Sequence, residues 1–374
     1  MDERRICALF ARAPGLTARH VRAAVAAAGD LAGVMALLRT GGTGGAVTLP
    51  PRARAVLDSP PERLLDDDLR WLDASGAAAV PCTSPLYPPR LAEAAGAPAV
   101  LYVLGDQRAP SAPQVAMVGA RRPTRGGLAT AREIAAGLVR AGLAVTSGLA
   151  VGIDAASHAS ALDAGGLTLA VCAHGLDVLY PRQHRSLAER IRERGALISP
   201  FPAGAPPARW RFPWRNQVLS GLSLATLVVE AARRSGSLHT AHFALQHGRP
   251  VYAVPGSIRS PLSGGCHELL RRGARIAESA SDILRDLEIP APDQAPASAA
   301  ATGGGTAPAA APAAGPLDKG SEILLDALGF EPVSLNVLVE RTGLPSSGIA
   351  SMLLMLELAG RVAPLPGGRY SRLG

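Results

Sequence analysis

Three arginines fall within five positions of one glycine-rich stretch, Val118-Gly119-Ala120-Arg121-Arg122-Pro123-Thr124-Arg125-Gly126-Gly127. Glycine lets a backbone approach an anion, and guanidinium groups offer forked donors that match phosphate oxygens. The stretch follows an apolar run and opens an amphipathic one, so its loop is aimed at a helix N-terminus with free N–H groups. It is neither Gly-x-Gly-x-x-Gly nor a Walker A loop, and the chain's single lysine is Lys319. A P-loop or Schiff-base lysine is therefore excluded from this region. The competing reading is a glycine-containing turn with solvated arginines.

Three further stretches carry chemistry. In Ser147-Gly148-Leu149-Ala150-Val151-Gly152-Ile153-Asp154, Asp154 is expected as a helix N-cap, with His158 four residues on and able to face it. Such a pair can do acid–base work, but a cap plus a surface or core histidine is the simpler reading. In Arg233-Arg234-Ser235-Gly236-Ser237-Leu238-His239-Thr240, the serines are expected to cap a helix and present N–H and hydroxyl donors to a phosphate. His239 and His242 stand three apart with no acidic partner in the motif, so no metal site is expected. Arg209-Trp210-Arg211-Phe212-Pro213-Trp214-Arg215-Asn216 interleaves cations with rings, holding two of three tryptophans in a chain that is only 3% aromatic. Two readings stand for this expected loop: rings that stack on nucleobases between phosphate-gripping arginines, or rings that plug the core.

These motifs hang on a regular frame. Val115–Ala120, Ala144–Ser147, Thr168–Cys172, Ala196–Ser199, Ala225–Glu230 and Val251–Val254 read as buried parallel strands. Amphipathic stretches at Leu128–Arg140, Ala155–Ala164, Ser186–Arg194 and Leu238–Gln246 alternate with them. The alternation predicts an α/β doubly wound sheet, whose ligands bind at the carboxyl ends of the strands. Before it, periodicity from Ile6 to Leu38 predicts small helices, with Thr17 capping one after an Ala13–Leu16 turn. A connecting segment is read at 71–113, after a helical domain at 1–70. The sheet domain spans 114–288, an Ala/Pro/Gly-rich linker 289–316, and three helices plus a hairpin 317–374, the winged-helix pattern.

Charge follows the same division. Residues 114–287 hold 21 basic and 11 acidic groups, against 12 and 11 before them and 5 and 8 after them. The whole net charge of +8 is thus owed to the central segment, which points to a polyanionic partner. Bias in composition explains why 37 of 38 cations are arginine, but not their segregation. The four cysteines are scattered without Cys-x-x-Cys, which fits a reducing cytoplasm, and neither a secretory signal nor a membrane-spanning run is read.

Taken together, Met117–Arg122, Ser147–Asp154, Gly165–Tyr180, Phe212–Ser223, Val228–Ala241 and Val251–Gly256 resemble the DNA-processing protein A (DprA, Smf) family in order and spacing. The resemblance implies an extended Rossmann-like domain between an N-terminal helical domain and a C-terminal winged-helix domain. It also implies a cytoplasmic, non-enzymatic protein that binds single-stranded DNA and loads a RecA-type recombinase on it during transformation. A homodimer through the Rossmann-like domain is implied too, with no cofactor and no metal. The family's phosphate-contacting arginine falls at Arg121, its Arg-Asn pair at Arg215-Asn216 and its Ser-Gly-Ser turn at Ser235-Gly236-Ser237. Gly119, Arg122, Arg125, Gly148, Trp214 and Arg234 complete the expected DNA-binding set. Val151, Pro200, Gln217 and His267 depart from the family pattern, and the first and third of these are expected to cost the pocket two cations.

Two other functions compete. A nucleotide phosphoribohydrolase of the same superfamily would carry a Pro-Gly-Gly-x-Gly-Thr loop followed by a glutamate. This chain has Arg234-Ser235-Gly236-Ser237 there, with no carboxylate on the following helix through Gly248. A double-stranded DNA regulator would act through the winged helix, yet its candidate recognition helix, Ser347–Leu358, has no Lys or Arg and suits a protein contact better.

Overall fold

The computed structural model describes residues 2–29, 31–40, 49–290, 319–328 and 332–373. They fall into two compact units, Met1–Asp293 and Gln294–Gly374. The expected linker lies outside the described residues from 291 onward.

The first unit begins with α1 (Glu3–Arg12), α2 (Ala18–Ala28), α3 (Leu31–Thr40), α4 (Pro51–Asp58) and α5 (Glu62–Ser75). Thr17 caps α2 as expected, with His20 completing a capping box. A buried pair ties this layer together. Arg12 donates to both oxygens of Asp68, at 2.7 and 2.9 Å, and also to the Ala203 carbonyl of the sheet domain. Next come β1 (Ala78–Pro81), α6 (Pro89–Glu93) and β2 (Val100–Gly105). The alternating part follows as β3 (Gln114–Val118), α7 (Arg125–Arg140), β4 (Ala144–Ser147), α8 (Ile153–Asp163), β5 (Thr168–Val171), α9 (Arg185–Arg194) and β6 (Ala196–Ser199). It continues with α10 (Arg211–Leu222), β7 (Ala225–Val228), α11 (Ser237–Gln246), β8 (Val251–Ala253), α12 (Gly264–Arg271), β9 (Arg275–Ile276) and α13 (Ala280–Asp286).

The nine strands form one sheet in the order β1-β2-β6-β5-β4-β3-β7-β8-β9. All six expected strands are present and parallel. The segment read as a connection supplies two more, with β2 antiparallel to β6 and β1 antiparallel to β2. From β3 the chain winds one way through β4, β5 and β6. From β7 it winds the other way, so the switch point lies between β3 and β7, where Val118 pairs with Val228. Strand alternation divides the core between two layers. Val115 and Met117 face the cluster built with α7, α8 and α13, whereas Ala116 and Val118 face the one built with α10, α11 and the N-terminal helices. Burying each Val or Met side chain contributes about 1.5–3 kcal/mol.

Two local expectations are corrected. Arg209–Asn216 is not a loop, because α10 starts at Arg211; Pro213 sits in its first turn, where a missing N–H costs nothing. Asp154 is not the N-cap of α8; Gly152 is, and Asp154 lies one position inside the helix.

The second unit contains α14 (Lys319–Leu328), β10 (Val333–Ser334), α15 (Leu335–Thr342), α16 (Ser346–Leu358), β11 (Val362–Leu365) and β12 (Arg369–Arg372). Leu324, Leu328, Leu338, Ile349, Leu353 and Leu356 form its core beside a β10-β12-β11 sheet. α16 leaves Leu354, Met355 and Leu358 exposed.

Candidate nucleic-acid interface

Loops at the carboxyl ends of β3, β4, β5 and β7, with the first turns of α10 and α11, line two adjoining cavities. The smaller, about 70 Å³, is walled by Arg121, Gly148, His174, Tyr180, Phe212 and Arg215. The larger, about 210 Å³, is walled by Gly119, Arg121, Phe212, Arg215, Asn216 and the turn Ser235–Ser237. Arg121, Phe212 and Arg215 belong to both. Residues from four separate expected motifs are therefore brought to one place.

The switch point explains the convergence. Ser237 Oγ donates to the Gly119 carbonyl (2.9 Å), joining the β7 side to the β3 loop. Ile153 N–H donates to the Ala120 carbonyl (3.1 Å), joining the β4 side to the same loop. Asp154 is buried and accepts from the N–H groups of Gly148 (3.1 Å) and Ala150 (3.4 Å), so it shapes the β4–α8 loop from within. Burial raises its pKa, and the nearby Arg215 opposes that rise. Leu149 between those donors has φ +56°, an uncommon conformation for a branched residue, and His184 Nδ1 bonds its carbonyl at 2.9 Å.

Arg215 is only 5% exposed, and its Nε is buried without a hydrogen-bond partner. Burial pushes its pKa down, but an arginine so placed keeps its charge. A Cβ on Gly148 would lie 1.3 Å from Arg215 Nη1, so this position needs glycine for the guanidinium to fit. Arg121 and Arg215 both lie over the Phe212 ring, at 5.7 and 5.9 Å from its centroid. Among the described residues neither has a carboxylate oxygen within 4 Å. Two like charges on one ring repel each other, and the buried Asp154 beyond ion-pair distance offsets part of that repulsion at Arg215.

Not every expected residue is part of these walls. Arg122, Arg125 and Arg234 are exposed beside them and line neither cavity. Trp214 also lines neither; it packs half-buried against the core, whereas Trp210 is 62% exposed with the Arg211 guanidinium 4.9 Å over its ring. Trp214 thus follows the core reading of the ring-and-cation stretch, and Trp210 is not a core plug. Tyr180 and Phe212, rings 6.4 Å apart, were missed as wall residues, although Phe212 is three positions before Arg215 and shares its helix face. At the start of α7 two N–H groups are taken: Glu230 accepts from Thr124 N–H, and Thr124 Oγ1 from Gly127 N–H.

Gln217 lines neither cavity; its amide donates to the Ala95 carbonyl, so the departure there removes no cation from a cavity wall. Val151 does line the smaller one. His158 does not face Asp154. Its Nδ1 bonds Thr168 Oγ1 at 2.7 Å, and that hydroxyl donates to the Val145 carbonyl, so Nδ1 carries the proton. Nε2 is buried with no partner, and burial, with His184 and Arg215 nearby, lowers the pKa to about 3.

A mixed, mostly parallel sheet wound both ways from a switch point defines a Rossmann-like protein, a fold class whose ligands bind at that point, and here the loops there are lined with cations. The profile of the DNA recombination-mediator protein A family matches residues 79–288, and that of the DprA winged helix domain matches 308–368. Protein Smf of Escherichia coli K12 is 39% identical over 84% of this chain and 82% of its own length. The chain belongs to the DprA/Smf family. Among solved structures, DNA processing protein A of Streptococcus pneumoniae superposes with a TM-score of 0.66 at 31% identity, covering 76% of this chain and 98% of that one. The Helicobacter pylori protein, whose structure is described as giving insight into a single-stranded DNA binding mode, superposes with a TM-score of 0.52 at 25% identity. It covers 57% of this chain and 95% of that one. Among the described residues no helix is long and apolar enough to cross a membrane.

Proposed function

We propose that this chain binds single-stranded DNA across the two cavities and loads a RecA-type recombinase on the bound strand during DNA uptake and recombination in the cytoplasm. Backbone phosphates bind Arg121, Arg215, Asn216 and the Ser235–Ser237 turn, with Gly119 and Gly148 giving room and Arg122, Arg125 and Arg234 flanking the path. Bases meet the Tyr180 and Phe212 rings. The observation that carries this reading is the Arg121–Arg215 pair over one ring, with no carboxylate oxygen within 4 Å among the described residues, in a family whose Helicobacter pylori member is described by its single-stranded DNA binding. The site acts by binding, not by catalysis.

A homodimer through the Rossmann-like domain belongs to the same proposal. The two-residue strand β9 ends the sheet with Ile276 exposed, an edge that a second copy would cover. Recombinase filament growth on a single strand, with and without this chain, tests the loading step. Faster nucleation is expected. Unchanged nucleation on strands the chain demonstrably occupies would leave DNA binding standing and remove the loading role.

A further inference from the structure

Glu230 is a carboxylate beside a site built for anions, yet both its oxygens are engaged by a threonine instead of an arginine. Oε2 accepts from Thr124 N–H at 2.9 Å and Oε1 from Thr124 Oγ1 at 2.6 Å. The same hydroxyl oxygen accepts from Gly127 N–H at 2.9 Å and so caps α7. The fit is tight: a Cβ on Gly127 would lie 2.4 Å from the Glu230 Cδ carbon. An anion at a helix N-terminus is favourable, and here the chain supplies its own.

The loop from Gly119 to Thr124 is thereby held at both ends. Ser237 Oγ and Ile153 N–H hold the Gly119 and Ala120 carbonyls, and Glu230 holds Thr124. Arg121, Arg122 and Pro123 span the gap. Resting on the proposed strand-binding site, we infer that Glu230 is a positioning residue for DNA: it fixes Thr124 and thereby the stance of Arg121 and Arg122. By filling the anion seat at α7 it also leaves the Ser235–Ser237 turn and the arginine pair as the place for the strand's phosphate. A negative side chain thus strengthens the binding of a polyanion, the opposite of what its charge alone dictates.

The test measures affinity for one fluorescent single-stranded oligonucleotide at two salt concentrations. Glu230→Ala removes a negative charge, so charge alone predicts tighter binding. Positioning predicts about tenfold weaker binding, the scale of one charge-assisted phosphate contact, and a shallower dependence on salt as that contact is lost. Thr124→Val, which keeps the N–H but loses the hydroxyl, should weaken binding in the same direction, and Thr124→Ser should restore it. In an Arg121→Ala/Arg122→Ala background Glu230→Ala should change affinity less than about twofold, because the groups it positions are gone. If Glu230→Ala does not fold, Glu230→Gln and Thr124→Val carry the comparison. Equal or tighter binding by the folded variants overturns the inference, as does a tenfold loss that persists without Arg121 and Arg122. A wild-type chain that does not bind the oligonucleotide overturns the strand-binding site itself and this inference with it, so the two failures are distinct.

Discussion

Replacing Arg121 by alanine isolates one half of the guanidinium pair. Arg121 is exposed on the β3–α7 loop and is in no ion pair among the described residues, so its removal breaks no buried salt bridge. What the free protein loses is its cation–π contact with Phe212, worth about 0.5–1 kcal/mol at an exposed site. In a unit of this size that moves Tm by only about 1–4 °C. It also loses repulsion toward Arg215, which Arg121 pushes toward a lower pKa, and this offsets part of that cost. The complex loses a charge-assisted contact of about 1.5–3 kcal/mol, a loss in affinity of roughly tenfold to 150-fold. The slope of log affinity against log salt should fall by about 0.7, the value for one phosphate of a single strand. Arg121→Lys keeps the charge without the fork and should fall between. Fluorescence anisotropy over a salt series, with thermal melts as a folding control, reads all three quantities. An Arg121→Ala protein with wild-type affinity, slope and Tm would refute the assignment of the cavity to phosphate.

Three further outcomes are expected. Trp210→Ala should remove most of the quenching of tryptophan fluorescence by bound oligonucleotide and weaken binding by about 1–3 kcal/mol if a base stacks on its exposed ring; unchanged quenching excludes that platform. For His158 the folded pKa of about 3 lies below the ordinary 6.5. The unfolded chain therefore binds the extra proton between those values, and stability falls as pH drops through that window, by up to about 1.4 kcal/mol per pH unit. Urea unfolding of His158→Gln from pH 7 to pH 4 should show a shallower fall than the wild type, and parallel curves would contradict the burial of a neutral ring. Truncation from Ile289 onward should leave single-stranded binding largely intact, because the residues removed carry 5 basic and 7 acidic groups; a large loss at both low and high salt would move the principal DNA site to the winged helix.

The parallel strands and their glycine turns were legible because each strand is an uninterrupted apolar run bounded by turn residues, and because α7 places Ala131, Ile134, Ala135 and Leu138 on one face. β1 and β2 were absorbed into a connection. Val100–Gly105 is apolar enough for a strand, but its antiparallel pairing with β6 is a long-range fact that no local pattern carries. α10 escaped because Pro213 and the dense charge read as a loop, and because its inward face holds the charged Arg215 where an apolar side chain is normally expected. The motifs named loops that the fold brings to the two cavities. Which ring of a motif is buried depended on where the helix begins: Trp210 is the N-cap residue, outside α10 and exposed, whereas Trp214 lies in the helix and packs on the core. The Glu230–Thr124 clamp joins residues 106 positions apart and left no trace in spacing.

The central claim is that the switch-point cavities of the Rossmann-like domain, where Arg121 and Arg215 share one ring, hold a single DNA strand by its phosphates. Competition between a labelled single strand and its unlabelled duplex for the full-length protein, repeated across a salt series, tests it most directly. The account predicts that the single strand wins at every salt concentration and that log affinity declines linearly with log salt. Equal competition by the duplex, or an affinity that salt does not change, would contradict it.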